Sequence, residues 1–444
     1  MAEPNAAPQP KPGEAPRTPE PHTNTKPTTT PPHKPGEAPR PSEPHTVGKP
    51  NEGAVPVRAV AASIACLTAS VMPGFLAGAL GTDIKATFDI GDTGLGVTLA
   101  VTYALSAVAS IHAGELADRL GARRGLLLSM WVTLVGYLAV AVVAQSFAAF
   151  LLSMAVAGAG LTLAGPAAKV LVVRHVSPER HGIAFAVHMS AIPLAPLLAG
   201  LTVPIVGGAS GWRWAFVGGG VLAAVGMLML PAEKTPDLAT ARTKKSEAGR
   251  FAHVRLAPLF VLGSAATLAS AAVIGAASFF VVNSDSARIS EDAAGLLLSA
   301  ASAGVITVRI LLGILADRGR TGDIKAVAAL LAASAAGYAL MAADTPWLYA
   351  LGGQVAIILG WSWPALMVVA LVRINPHAPG LATSFAIGGM NLGAVVGPAA
   401  FGAISDNASS SAALAAAAAW ALAAAALCLL GRLISRTVPS PHLS

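Results

Sequence analysis

Charged residues are scarce in this chain of 444 residues. They make up 11% of it, against 54% hydrophobic residues and a mean hydropathy of +0.65, whereas a soluble domain has about 25% charged residues. The apolar residues fall in runs of about 20, long enough to cross a bilayer as helices, and the dyad alternation of transmembrane β-strands is absent. The scarcity of charge therefore excludes a soluble globular protein and predicts an all-α, polytopic membrane protein whose surroundings are a lipid bilayer.

Cysteine and the common catalytic motifs are also nearly absent. The two cysteines, Cys66 and Cys428, both lie inside apolar runs, so neither a disulfide framework nor a zinc site is indicated. No phosphate-binding loop of the G-x-x-x-x-G-K-[ST] type and no nucleophile–base pair occur, so neither an ATP-driven pump nor an enzyme is expected. We expect no metal and no cofactor. The net charge of +7 is explained by loop placement below, and no nucleic-acid partner is expected.

Residues 1–53 have a different composition from the rest of the chain. Fifteen of the 32 prolines lie in the first fifty residues, and "KPGEAPRTPEPHT" (11–23) returns as "KPGEAPRPSEPHT" (34–46). Such a proline-rich segment without aromatic residues buries too little surface to fold, which predicts a disordered cytoplasmic tail. It lacks the apolar core of a signal peptide. An inert tail and a docking arm for an unidentified partner both fit.

Twelve apolar runs follow this tail. They lie near 57–81, 95–117, 125–144, 147–173, 182–206, 214–231, 257–282, 295–316, 325–343, 347–372, 381–404 and 408–433, and the longest internal polar stretch comes after the sixth. The predicted organisation is an N-terminal six-helix bundle (54–230), a cytoplasmic linker (231–256), a C-terminal six-helix bundle (257–433) and a cytoplasmic C-terminal tail (434–444).

The basic residues between the runs predict the orientation in the membrane. With the N-terminus inside, the inner loops hold fifteen lysines and arginines, and the outer loops hold only Lys85, Arg213 and Arg288. Cytoplasmic loops carry such an excess of positive charge, so both termini are expected in the cytoplasm. The composition, rich in alanine and glycine, fits a bacterium with a GC-rich genome, so we expect a multi-pass protein of the bacterial plasma membrane.

Two related charged segments end the second and eighth runs, "GELADRLGARR" (114–124) and "GILADRGR" (313–320). Their recurrence at matching points of two six-run halves indicates internal duplication, which is common in secondary transporters. Three further segments lie between or within later runs: "SPERHG" (177–182), "GWRWAF" (211–216) and "NLGAVVGPAAFG" (391–402). Together, in this order, the five segments resemble motifs of the major facilitator superfamily (MFS), over residues 57–433.

The resemblance implies two pseudo-symmetric six-helix bundles that rock about a central cavity by alternating access. It also implies that the charged segments latch the cytoplasmic side when the outer side is open; the latch residues are then Gly114, Asp118, Arg119, Arg123, Gly313, Asp317 and Arg318. The alternative is that these charges only set the topology.

Charge inside the predicted spans favours an anionic solute. None of the 22 acidic residues lies in the middle of a run, but Lys169 and Arg309 do lie within runs, and intramembrane charges by default mark a binding site or pathway. The planar guanidinium of Arg309 suits a carboxylate or phosphate, and many organic-anion carriers of the family have an arginine there. Alternatively, Arg309 packs against backbone carbonyls where the bundles meet, and Lys169 snorkels to the lipid headgroups.

Other polar residues in the spans are weaker candidates. Gln354 and Trp361 in the tenth span and Asn391 in the eleventh either contact the solute or pack against neighbouring helices. His112 and His188 either carry a coupling proton or are merely hydrogen-bonded.

We therefore predict a secondary transporter of a small organic anion such as a monocarboxylate. The second hypothesis is an exporter of drugs or secondary metabolites, but Met154 stands where proton-coupled exporters of the family have an arginine. The third is a non-transporting membrane sensor. Proton coupling stays open, because Val305 stands where related monocarboxylate carriers have an acid.

Overall fold

The protein is described by a computed structural model that covers residues 55–177, 180–206, 211–232, 256–317, 323–343, 345–375 and 378–437. Its sixteen α-helices, numbered in chain order, are α1 (Val55–Ala79), α2 (Gly81–Phe88), α3 (Asp92–Leu120), α4 (Ala122–Val142), α5 (Phe147–Ala159), α6 (Leu161–His175), α7 (His181–Met189), α8 (Ala191–Val206), α9 (Arg213–Met229), α10 (Leu256–Ser278), α11 (Glu291–Asp317), α12 (Ile324–Met341), α13 (Pro346–Gly360), α14 (Pro364–Ile374), α15 (Pro379–Asn407) and α16 (Ser410–Thr437). The predicted N-terminal tail, most of the linker and residues 438–444 of the predicted C-terminal tail lie outside this range, whereas residues 434–437 belong to α16.

The helices lie at the positions of the predicted membrane spans. Ten helical segments of the described chain are long and apolar enough to cross a bilayer. Two shorter apolar segments, Asp92–Val108 within α3 and Arg213–Met229 (α9), occupy the second and sixth predicted spans. Leucine, valine and tryptophan side chains are exposed on the outer faces of α3, α4 and α9, as expected where lipid replaces water. The all-α polytopic class is confirmed.

Three predicted runs are each broken into two helices, which the sequence analysis did not foresee. The breaks separate α5 from α6 at Gly160, α7 from α8 at Ser190, and α13 from α14 at residues 361–363. Proline has no N–H and its ring clashes with the carbonyl four residues earlier. Pro193 therefore ends the hydrogen-bond ladder of α7, and Pro364 stands at the first position of α14.

The described half before the linker meets the half after it mainly through two helix pairs, α3 with α15 and α8 with α11. We call the membrane face at which α3 begins the Asp92 side and the face at which it ends the Gly121 side. Near the Asp92 side the pairs approach to backbone contact through glycines. Gly96 lies against the carbonyl of Pro398, Gly402 against that of Asp92, and Gly200 against that of Gly295.

A carboxylate from the second half caps a helix of the first half at this side. Asp406, near the end of α15, accepts hydrogen bonds from the backbone N–H groups of Asp92 (2.9 Å) and Thr93 (2.7 Å) in the first turn of α3. Anions are favoured at helix N-termini, whose N–H groups lack helical partners. The buried carboxylate of Asp92 pairs with Lys85 and accepts from the hydroxyl of Ser405. The two halves are therefore held together at the Asp92 side.

Replacing Gly402 with alanine tests the contact between α3 and α15. A Cβ atom there would overlap the carbonyl of Asp92, and overpacking costs about 1–3 kcal/mol. We expect the closed arrangement to lose about 5- to 150-fold in population relative to one with the Asp92 side open. A cysteine at Ser299, which is buried and bonded to the carbonyl of Leu197 across the halves, should then react faster with a thiol reagent.

Gly218→Ala is the control, because a Cβ atom at Gly218 would meet no neighbour. Background labelling should be low, since Cys66 and Cys428 are buried. Equal reactivity of the Ser299 cysteine in the Gly402→Ala and Gly218→Ala proteins would contradict the closed packing.

Asp406→Asn tests the cap separately. A neutral amide accepts more weakly from the α3 N-terminus, and capping is worth about 0.5–2 kcal/mol, less for an exposed carboxylate such as this one. We expect the Ser299 cysteine to react about 2- to 10-fold faster. Asp89→Asn is the matched control: Asp89 is an exposed carboxylate at the same side, in a left-handed conformation that asparagine tolerates. If both variants behave alike, the cap does not hold the halves together.

Candidate functional site

Arg309 on α11 connects two helix breaks that belong to different halves of the chain. Its Nε and Nη2 groups donate to the carbonyl of Trp361 at 3.0 and 2.7 Å, and Nη1 donates to the carbonyl of Met189 at 3.4 Å. Trp361 lies at the end of α13 in the second half, and Met189 at the end of α7 in the first. The guanidinium therefore lies where the two halves meet.

Both carbonyls are available because the helices are broken there. In a continuous helix the carbonyl of Met189 would accept from the N–H of residue 193, but that residue is Pro193, which has none. Trp361 caps α13 and lies just outside it, so its carbonyl is not committed to a helical bond. A helix C-terminus also favours positive charge. The second interpretation of Arg309 in the sequence analysis, packing against carbonyls between the bundles, is what the geometry shows.

The contacts with Arg309 do not use its whole hydrogen-bonding capacity. A guanidinium has five N–H groups, and the bonds to Trp361 and Met189 account for three of them. The side chain is half-buried. Arg309 is therefore held in a fixed orientation by the two helix ends, and two of its N–H groups take no part in these bonds.

Two other predicted site residues pack around this point. The Trp361 ring lies on Phe75 of α1, with ring centroids 5.5 Å apart, so it too bridges the halves. Gln354, two turns earlier on α13, donates from Nε2 to the carbonyl of Leu297 on α11 at 2.9 Å. The backbone of Trp361 and the side chain of Gln354 thus both fix α13 against α11.

Lys169 and His188 lie on the first-half side of the same region. Lys169 is exposed on α6 and is within electrostatic range of His188. His188 is completely buried, and its Nδ1 lies 3.1 Å from the hydroxyl oxygen of Ser63 on α1. His188 directly precedes Met189, whose carbonyl binds Arg309. The fold therefore brings Lys169, His188 and Arg309, from three helices, into one region.

The other predicted residues lie elsewhere. Asn391 is half-buried on α15, and Arg123 is half-buried on α4 with a buried Nε that has no hydrogen-bond partner in the described part of the chain. Arg119 is exposed near the end of α3. Of the remaining residues, Gly114, Asp118, His112, Gly313 and Asp317 lie on α3 or α11 with side chains outside the description, and Arg318 lies outside the described residues.

Three participants were missed by the sequence analysis: the Met189 carbonyl, Ser63 and Phe75. A local signal existed only for the first, because Pro193 lies four residues after Met189. Ser63 and Phe75 are small or apolar residues on α1, and only their position in the fold shows their contacts. Among the described residues, no group of three or more His, Cys, Asp or Glu side chains could hold a metal ion.

A family comparison covers nearly all of the described chain. The family model described as Major Facilitator Superfamily matches residues 59–285 and 259–443, two overlapping matches. The chain belongs to the major facilitator superfamily. A search of curated proteins gives no match. As a member of this superfamily, the protein is a membrane transporter of small solutes, with the helices described above as its bundles.

Solved structures agree with this fold at low sequence identity. The chain is similar to a bacterial homologue of the human lysosomal transporter Spinster in an inward-facing, occupied conformation (16% identity, TM-score 0.66, 87% of this chain and 100% of that one). It is also similar to a D-xylose–proton symporter (14%, 0.69, 87% and 98%) and to a nucleoside transporter (14%, 0.66, 86% and 100%). At such identities the likeness establishes the fold alone.

Arg309→Met tests whether the guanidinium stabilises the empty protein. Methionine leaves the carbonyls of Trp361 and Met189 without donors, and a hydrogen bond to a charged group is worth about 1.5–3 kcal/mol. We expect unfolding to become easier by at least that amount, measured as thermal unfolding in detergent. Lys169→Met is the control for removing an intramembrane charge, because Lys169 is exposed. A more stable Arg309→Met protein would show that the carbonyl contacts do not compensate for burial of the charge.

Proposed function

We propose that this transporter carries a small organic anion, of the monocarboxylate type, through alternating exposure of a site at Arg309. The proposal rests on one observation: a guanidinium at the meeting point of the two halves is oriented by helix-end carbonyls of both. A solute bound there touches both halves, so its binding can bias how they are arranged.

The local charge supports an anion over a cation. Arg309 and Lys169 lie within spans, whereas the acidic residues of the described helices lie at or near helix ends, such as Asp92, Glu291 and Asp406. The cost of placing charge within a membrane is large, and carbonyl dipoles offset only part of it. An anion supplies the missing negative charge, and the remaining N–H groups of Arg309 can donate to two carboxylate oxygens.

The remaining features of the site suit a solute with an apolar part. Trp361 and Phe75 form an aromatic wall between α13 and α1, beside the guanidinium that binds the Trp361 carbonyl. Small-molecule sites combine an apolar lining with a few oriented polar groups, and these two rings beside a guanidinium supply groups of both kinds. An aliphatic or aromatic carboxylate fits both parts.

The proposed orientation places the Gly121 side in the cytoplasm of a bacterium, as the distribution of basic loop residues favours. On this basis the described state is closed towards the outside, at the Asp92 clasp formed by Lys85, Asp92, Ser405 and Asp406. The Gly121-side latch then operates in the opposite state. The buried Nε of Arg123 supports this: it has no hydrogen-bond partner among the described residues, as expected of a donor that pairs only in the other state.

Ligand-dependent thermal unfolding of the purified protein tests the solute class. The panel contains lactate and benzoate, D-xylose and a nucleoside as neutral solutes, and a lipophilic cation. A ligand at 100 times its Kd stabilises a protein by about 2.7 kcal/mol. We expect stabilisation by a carboxylate that is lost in Arg309→Gln and partly kept in Arg309→Lys, which retains the charge without the planar fork.

The variants distinguish this proposal from the other hypotheses. Stabilisation by the lipophilic cation that persists in Arg309→Gln would favour an exporter of drugs, and stabilisation by a neutral solute would favour a sugar or nucleoside carrier. Either result, without a response to anions, would overturn the anion proposal. Anion uptake into proteoliposomes, compared between wild type and Arg309→Lys, separates a transporter from a sensor.

A further inference from the structure

His188 is a buried histidine whose hydrogen atoms can be placed from its neighbours. Ser63 donates its hydroxyl proton to the carbonyl of Val60 at 2.7 Å, because a carbonyl oxygen only accepts. The same hydroxyl oxygen lies 3.1 Å from Nδ1 of His188. A serine hydroxyl has one proton, so Ser63 must accept at this contact and Nδ1 must carry a hydrogen. The neutral imidazole therefore has its free lone pair on Nε2.

That lone pair is buried and has no hydrogen-bond partner among the described residues. Nε2 of His188 makes no hydrogen bond in the described part of the chain, and the side chain is 0% exposed. Buried polar atoms are normally paired, and each exception requires an explanation. Nε2 is an acceptor for a proton, and once protonated it becomes a second donor of the same ring.

The charged groups near His188 are cationic. α7 packs against α1, α6, α8 and α11. Lys169 of α6 is within electrostatic range of His188, and Arg309 of α11 binds the carbonyl of the next residue, Met189. On α1, the guanidinium of Arg58 is bonded to the carbonyls of Leu228 and Met229.

The described helices around His188 offer no nearby carboxylate to offset these charges. The sequences of α1, α6, α7 and α8 contain no acidic residue, and those of α11, Glu291, Asp292 and Asp317, lie at its two ends. On α6, Arg174 and His175 lie at the Gly121-side end, and α7 begins with His181. Cys66 on α1 is buried and packs towards Gly226 of α9. A proton on Nε2 therefore adds a third positive charge to Lys169 and Arg309.

We infer that His188 takes up a proton at Nε2 when the anion binds, so that the protein is a proton–anion symporter whose proton site is this histidine. The inference rests on the proposed function. A proton from solvent forms an N–H bond with the Nε2 lone pair and gives an imidazolium; when the anion leaves, the proton returns to solvent. Burial of the ring and the like charges around it disfavour the imidazolium, and the charge of a bound anion offsets part of that cost. Because linkage is reciprocal, the proton also strengthens anion binding.

This arrangement couples an anion to a proton without an acid in the middle of a span. Val305 stands where related monocarboxylate carriers have an acid, and its apolar side chain is buried. One monovalent anion with one proton crosses as a neutral pair, which avoids moving net charge through the membrane. The acidic residues of the described spans lie at or near helix ends, away from Arg309. His188 therefore supplies the proton site that they do not.

Proton uptake on anion binding tests the inference. The purified protein is mixed in weakly buffered detergent solution with benzoate or with benzenesulfonate, and a pH indicator measures the protons removed from solution. The sulfonate stays ionised, so any proton taken up with it goes to the protein and not to the ligand. Binding is measured in parallel by thermal stabilisation. We expect wild type to remove up to about one proton from solution for each anion that it binds.

His188→Gln should bind the anion more weakly and take up no proton, since glutamine keeps a donor for Ser63 but has no basic nitrogen. His175→Gln is the matched control: His175 ends the neighbouring α6, where its Nδ1 contacts the carbonyl of Leu171, and the variant should behave as wild type. If His188→Gln fails to fold, Lys169→Gln replaces it. With one positive charge fewer, His188 is protonated more often before binding, so uptake per bound anion should fall.

Anion binding without proton uptake in wild type, or equal uptake in wild type and His188→Gln, would overturn the inference and leave the proposed anion transport standing. Uptake with benzoate but none with benzenesulfonate would place the proton on the solute and overturn it as well. If no anion of the panel stabilises wild type, the proposed function fails and the inference fails with it.

Discussion

Backbone carbonyls within a bilayer need a hydrogen-bond donor from the protein, because no water is present to provide one. The helix breaks before Pro193 and Pro364 release the carbonyls of Met189 and Trp361, and Arg309 supplies donors to both. A guanidinium in the same environment needs acceptors equally. The released carbonyls and the guanidinium of Arg309 therefore satisfy each other's need for hydrogen bonds. Since the two acceptor carbonyls belong to opposite halves of the chain, the hydrogen bonds of Arg309 also join the halves at this point.

The second constraint is the close packing of the halves at the Asp92 side. Gly96 and Gly402 allow the backbones of α3 and α15 to touch, and the carboxylate of Asp406 replaces the missing cap of α3. In lipid, helix association depends on such small residues and on polar contacts rather than on a hydrophobic driving force. Contacts of this kind are individually modest and can open and close reversibly. The alternating access that we propose requires that reversibility at both ends of the proposed site at Arg309 and His188.

Much of the fold and part of the site could be predicted from the sequence. Long apolar runs indicated the membrane spans, because the hydrophobicity of a span depends only on its own consecutive residues and not on the neighbouring helices. Arg309 stood out for the same reason, as a charge within an apolar run. Its carbonyl partners did not. For Gln354 the sequence left solute contact and helix packing both open, and in the fold its side chain bonds to the backbone of α11. The tautomer of His188 depends on Ser63, which lies 125 residues earlier and carries no distinguishing pattern.

The sequence by itself determined the membrane class, the approximate positions of the spans, the duplication into two halves and the excess of positive charge within them. These properties depend only on consecutive residues of the chain, so they are the same for any arrangement of the helices. Only the tertiary structure decided which carbonyls bind Arg309, which ring nitrogen of His188 is left without a partner, and at which side the halves touch. Hydrogen bonds extend over about 3 Å, so they depend on which distant segments come together, and the bond from Arg309 to Met189 spans 120 residues of chain.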